Sequence, residues 1–193
     1  MSLRRLSHAI SEGQGISILV EVADREAART AEAQGANGLA VKSERVGVRD
    51  ATQLPLLWCV EGRFRDAHGA GADAVVLVAE QAEDTLEELY EEALELGLEC
   101  VVEVRDEDEL EQVLDRVDPE IFLLTADEAD DGQEHLDRLL ELLPDVPAGK
   151  LAIAELARPT REDVAELERA GVDAVLVAAL DVAGLVNSPL PDV

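Results

Sequence analysis

The chain has 193 residues, with 44 Asp or Glu against 16 Lys or Arg and a formal net charge of −28 at pH 7. Such a surface argues against nucleic acid as a partner, because Lys and Arg must neutralise its phosphates, and against anionic membranes. No apolar run approaches the ~20 residues of a membrane helix.

Hydrophobic residues make up 47 % of the sequence but aromatic ones only 2 %, so a core must be built from Val, Leu, Ile and Ala. The length suits one domain over residues 1–193. Self-repulsion at this charge opposes compaction, and salt shortens its reach to about 3 Å at molar ionic strength. The composition therefore suits a salt-rich cytoplasm and a halophilic source. A GC-rich genome is the alternative, since Arg is used far more than Lys, which occurs only as Lys42 and Lys150. Cys59 and Cys100 show no CxxC or zinc spacing and read as reduced, buried thiols of a cytoplasmic protein.

Met1–Gly15 carries Arg4 and Arg5 but no hydrophobic signal core, and reads as a short helical extension. Strands are then expected at Ile16–Val22, Gly38–Lys42, Leu56–Val60, Ala74–Ala79, Glu99–Val104, Ile121–Thr125, Lys150–Ala154 and Ala174–Ala178. Most are near-continuous apolar runs, as parallel strands buried on both faces require. Helical periodicity fills the second half. Thr85–Leu96 places Leu86, Leu89, Tyr90, Ala93 and Leu94 on one face before Gly97. Asp106 precedes Glu107–Leu114 as an N-cap, and Thr160 with Asp163 forms a capping-box variant before Arg161–Ala170. Between strands two and three there is room only for a short helix near Arg49–Gln53, and between strands three and four Glu61–Ala70 gives one short helix at most. The tail, Asn187–Val193, reads as irregular.

Eight strands alternating with helices imply an α/β fold, a compact (βα)8 TIM barrel with shortened loops and reduced helices in its first half. Its rhythm recurs as "GANGLAV" at Gly35, "GADAVVLV" at Gly71 and "GVDAVLVA" at Gly171. The glycines are read as helix C-caps and not as a ligand motif. Trimmed helices would leave strands uncovered, so a homo-oligomer or protein partner is one expectation.

"AGADAVVLV" (Ala70–Val78), "GLECVVEVRDEDELEQVL" (Gly97–Leu114) and "AELARPTREDVAELERAGVDAVLVAAL" (Ala154–Leu180) resemble strands four, five, seven and eight of indole-3-glycerol phosphate synthase, and "SILVEVADREA" (Ser17–Ala27) resembles its first strand. That family closes an indole ring on an anthranilate-linked ribulose phosphate, with loss of carbon dioxide and water. The resemblance implies a glutamate near the ends of strands one, five and seven, and Glu21, Glu103 and Glu155 stand there. Strand C-termini are where barrel active sites lie. Three converging carboxylates would raise one another's pKa for acid–base work. The other reading is that they are inherited and merely solvated.

The family's lysines are missing. The resemblance puts the strand-one lysine at Ala23 and the strand-three lysine at Cys59. It puts the Asn-Asn-Arg-Asn run at "TADE" (Thr125–Glu128), the phosphate-binding Ser-Gly at Leu156–Ala157, and the Gly-Glu-Ser at Ala178–Leu180. Phosphate binds at glycine-rich turns and helix N-termini. A mouth with three glutamates and neither lysine would repel an anionic substrate.

Lys42, at the end of strand two, is the candidate stand-in, with Arg63, Arg65, Arg105 and Arg158 in loops on the same face. They either rebuild an anion site for a small phosphorylated ligand or neutralise rim glutamates. No cofactor or metal is implied. Ala126–Asp137 is acidic without calcium-loop spacing, and His8, His68 and His135 are too far apart for a metal motif. Trp58 reads as a packing residue on the face of strand three opposite Cys59. The function expected is a divergent barrel that binds or interacts without closing the ring. The alternative is a weak or altered lyase or isomerase acting on a phosphorylated sugar derivative of tryptophan biosynthesis.

Overall fold

The computed structural model describes residues 4–13, 15–43, 47–60, 64–82, 84–126, 132–178 and 182–185. Arg63, Ala179, Leu180, Asp127–Asp131 of the acidic stretch and the tail 187–193 lie outside the described residues.

Eight parallel strands close a barrel in chain order. They are β1 (Ser17–Glu21), β2 (Gly38–Val41), β3 (Leu56–Trp58), β4 (Ala74–Val78), β5 (Glu99–Val104), β6 (Ile121–Leu124), β7 (Leu151–Glu155) and β8 (Ala174–Val177). The seam pairs Leu19 of β1 with Leu176 of β8. A first helix, α1 (Arg5–Ser11), precedes them. Around the barrel run α2 (Arg25–Ala33), α3 (Phe64–Gly69), α4 (Leu86–Glu95), α5 (Glu107–Leu114), α6 (Gly132–Leu142), α7 (Arg161–Ala170) and α8 (Val182–Leu185). Alternation along each strand divides the core in two. Leu19, Ala40, Leu57, Val76, Val101, Leu123, Ile153 and Leu176 fill the barrel. Leu39, Trp58, Val75, Val102, Phe122 and Val175 pack outward under the helices. Trp58 is thus a packing residue, on the face opposite Cys59.

The repeated Gly-x-Asn/Asp has a second task besides ending helices. Asn37 accepts from the Ile18 amide (2.9 Å), Asp73 from Leu56 (2.9 Å) and Asp173 from Ala152 (2.8 Å). Each side chain thereby pins the start of the preceding strand. Gly35, Gly71 and Gly171 all have positive φ, as expected of C-caps. Gly71 (φ +77°) also has a spatial reason, since a Cβ there would lie 2.8 Å from Cγ of Arg49.

That contact explains how the trimmed first half stays closed. The β2–β3 connection holds a 3-10 turn, Arg49–Ala51. The Arg49 guanidinium donates to the carbonyls of Thr52 (2.7 Å) and Leu54 (2.9 Å) and to Asp73 (2.9 Å), tying the loop down. Leu39, Val41, Leu56 and Trp58, on the outer faces of β2 and β3, are all at most 4 % exposed. The expectation of uncovered strands is therefore overturned, since these side chains lie buried in one cluster that also holds Val48 and Phe64. Among the described residues Leu94, at 51 %, is the exposed large apolar side chain.

The short extension is helical, as expected, in α1. It closes the barrel end where the strands begin. Leu6 and Ile10 enter the inner core, at 0 % and 3 % exposure. The Glu99 carboxylate accepts from the amides of Leu6 (2.6 Å) and Ser7 (3.0 Å), satisfying donors of the first turn. Arg5 bonds Asp73 at 2.8 Å, and Arg4 bonds Glu120 at the same distance. With that end plugged, the open end is the one where the strands finish.

Candidate functional site at the barrel mouth

The mouth is a cleft of about 1110 Å³. Its floor is the last inward-facing layer of the strands. Glu21 follows Leu19 by two residues, Lys42 follows Ala40, Glu103 follows Val101 and Glu155 follows Ile153, so each side chain continues the inner face. All four residues singled out in the sequence converge there. Cys59, Val78 and Thr125 lie in the same layer.

Lys42 Nζ is hydrogen-bonded to Glu155 Oε1 and lies 3.9 Å from Glu21 Oε2. Burial alone would lower its pKa. The bond to Glu155 and the charges of Glu155 and Glu21 outweigh that, and the pKa is raised. The ammonium is therefore permanent at neutral pH and already held by carboxylates. Glu103 is more desolvated. Burial first, and the charge of Glu155 second, raise its pKa, while its own hydrogen bond is a long one from Thr125 Oγ1 (3.5 Å). Cys59 is half-buried among Glu155, Lys42 and Glu103. Desolvation, aided by Glu155, pushes its thiol well above the ordinary value, so it is neither cation nor thiolate at neutral pH. Cys100 lies buried in the outer core, with its thiol pushed up by burial to about 12.

The rim arginines divide. Arg105 is clamped by Glu80 (2.5 Å) and Glu109 (2.8 Å), with its pKa raised chiefly by the Glu109 bond. Arg65 pairs with Glu92 at 3.1 Å and is 85 % exposed. Both, like Lys42, are paired with carboxylates. Arg158 lines the cleft without an ion pair among the described residues, and Arg63 lies outside them. The Glu109 clamp has a sequence signal, its i,i+4 spacing from Arg105. His135 is a cleft-lining residue that the sequence did not point to.

Amides at the N-termini of α7 and α8 already have acceptors. Thr160 Oγ1 accepts from the Asp163 amide (3.2 Å), and the Asp163 carboxylate accepts from the Thr160 amide (2.7 Å), closing the expected capping box at α7. At α8 the Val182 amide donates to Gln34 Oε1 at 3.3 Å. Leu156, where the resemblance places the family's phosphate-binding serine, is buried at 5 % exposure.

A closed (βα)8 barrel with a polar, carboxylate-rich mouth defines the class of protein. The family model of indole-3-glycerol phosphate synthase matches residues 60–180. The chain belongs to the indole-3-glycerol phosphate synthase family. It is 34 % identical over 135 residues to the enzyme of that name from Geobacillus sp. (strain WCH70), a match covering 67 % of this chain and 52 % of that one. It is 39 % identical over 113 residues to that from Variovorax paradoxus (strain S110), covering 58 % and 42 %. The chain thus spans about half the length of the curated relatives it matches. Glu103 and Glu155 fall inside the family match, while Glu21, Lys42 and Cys59 precede it.

Among solved structures, N-acetylmannosamine-6-phosphate 2-epimerase from Clostridium perfringens superposes with a TM-score of 0.68 at 12 % identity, over 87 % of each chain. A mutant tryptophan synthase alpha-subunit from Pyrococcus furiosus gives 0.66 at 14 %, over 86 % of this chain and 87 % of that one. At such identities the likeness is one of fold. Among the described residues no group of His, Cys, Asp and Glu is arranged to hold a metal ion, and no helix is long and apolar enough to cross a membrane.

Proposed function

We propose that this protein has given up the ring-closing reaction of its family and uses the barrel mouth as a binding site for a small polar ligand. The observation that carries the reading is the state of Lys42. The cation on the floor is neutralised by Glu155 and faced by Glu21, while Cys59 offers a neutral thiol where the resemblance expects a lysine. Glu21, Glu103 and Glu155 against one ammonium leave the floor net negative, and a substrate bearing both carboxylate and phosphate would be repelled there. Loss of one general acid forfeits about 10²–10⁴-fold by itself.

The test is turnover. Purified protein, shown to be folded by a cooperative thermal transition in molar potassium chloride, is mixed with the anthranilate-linked deoxyribulose phosphate that the family cyclises. Indole fluorescence should rise no faster than in buffer. Formation of indole-3-glycerol phosphate above that rate, and its loss in Glu155→Gln, would sink the reading.

A second reading keeps an altered enzyme acting on a phosphorylated sugar derivative. The observation favouring it is that Glu103, with its raised pKa, shares one cleft with the Lys42 ammonium, which supplies a proton-transfer group beside a fixed cation.

A further inference from the structure

Three carboxylates and one ammonium share the floor of the mouth, and they do not pair evenly. Glu155 bonds Lys42, and Glu21 faces it at 3.9 Å. Glu103 lines the cleft and has no ion pair among the described residues. Its hydrogen bond comes from Thr125 Oγ1 at 3.5 Å, the outer limit for such a bond. Burial and the charge of Glu155 disfavour its ionised form. Lys42 and Arg105 favour it more weakly, and both are engaged by other carboxylates.

Thr125 is 8 % exposed and lines the same cleft. Its hydroxyl accepts no hydrogen bond among the described residues. A buried acceptor thus stands open beside a carboxylate that lacks a cation. A primary ammonium carries three N–H donors, which suit a carboxylate and a hydroxyl together. Val78, Leu123 and Leu156 add apolar surface to the lining. Lys42 does not repel a second positive charge strongly, because Glu155 and Glu21 already offset it. Arg158, the third cation of the lining, is exposed, where salt and solvent screen it.

We infer that the mouth takes a small organic cation, a primary amine whose ammonium group is held by Glu103 and Thr125 and whose short apolar body lies against Val78, Leu123 and Leu156. This rests on the binding reading above and adds the chemistry of the ligand. The charge of the site is then the reverse of what an anionic substrate needs. A bound ammonium gives Glu103 the counter-charge it lacks and reduces the excess of three carboxylates over one lysine.

Probes of one size and different charge read the site: n-butylammonium, butanol and butyrate. Each is titrated against the intact protein in potassium chloride at constant ionic strength, and binding is followed by saturation-transfer NMR of the probe's methyl group. n-Butylammonium should bind saturably and about tenfold or more tighter than the other two, as for a charge-assisted bond. In Glu103→Gln, shown to be folded by a thermal midpoint no lower than that of the parent, the affinity for n-butylammonium should fall about tenfold or more. Glu103→Asp should keep part of it, and Thr125→Val should weaken it by a smaller factor. Binding that survives Glu103→Gln unchanged belongs to the acidic surface at large and overturns the proposal. So does a preference for butyrate, equal binding of all the probes, or no saturable binding of n-butylammonium. A preference for butyrate or butanol would still leave the mouth a binding site of other chemistry, whereas ring closure in the turnover assay sinks the binding reading itself.

Discussion

At the scale of single residues, the mouth is governed by where desolvation falls. Burial raises the pKa of Glu103, and the sign of its effect on stability follows. Below its ordinary value of 4.5 it is protonated in folded and unfolded chains alike. As the pH climbs, the unfolded chain releases its proton first, and stability falls until the folded group has ionised too. Glu103→Gln should therefore raise the thermal midpoint at neutral pH and leave it unchanged near pH 4, which a melt series across that range would show. An equal effect at both ends would mean that packing, not charge, is responsible. At the closed end, Asp73 is a carboxylate 12 % exposed that serves Arg5, Arg49 and the Leu56 amide. Asp73→Ala leaves two part-buried guanidinium groups and the Leu56 amide without their acceptor and should cost about 1–3 kcal/mol in urea unfolding.

At the scale of elements, what could be read in the sequence was local. The eight strands were legible because a strand buried on both faces is an unbroken apolar run, and the observed bounds differ from those expected by one or two residues at most ends. The caps Asp106 and Thr160 were legible because N-capping is a contact over three residues. The docking of α1 was not, because Leu6 meets Glu99 across 93 positions, and nothing in "RRLSHAIS" says which barrel end it will close. The convergence of Glu21, Lys42 and Glu155 was legible from resemblance and alternation together. The coverage of β2 and β3 was not legible, since it does not scale with helix length when Arg49 pins a short loop over the strands with one side chain. Two substitutions separate these elements. Leu6→Ala should destabilise by about 2–5 kcal/mol, as for other large-to-small core changes. Thr160→Ala should cost about 0.5–2 kcal/mol, the usual worth of an N-cap. Chemical denaturation of both variants gives the comparison, and near-equal costs would mean that α1 is not part of the core.

At the scale of the whole molecule, the net charge of −28 opposes compaction through self-repulsion. With −28 formal charges on 193 residues, the folded state concentrates like charge that the unfolded chain spreads out. Potassium chloride should raise the thermal midpoint steeply up to molar concentration, where the screening length falls to about 3 Å. A midpoint independent of salt between about 0.1 and 2 M would remove the halophilic reading of the composition. The plug at the closed end also bears on assembly in time. Helix α1 leaves the ribosome ahead of every strand, yet its partners Asp73, Glu99 and Glu120 are made long after it. The entropy cost of closing such loops grows only slowly with their length. A helix synthesised ahead of every strand therefore has to wait for its partners, and the closed end of the barrel is complete only after Glu99 has been made.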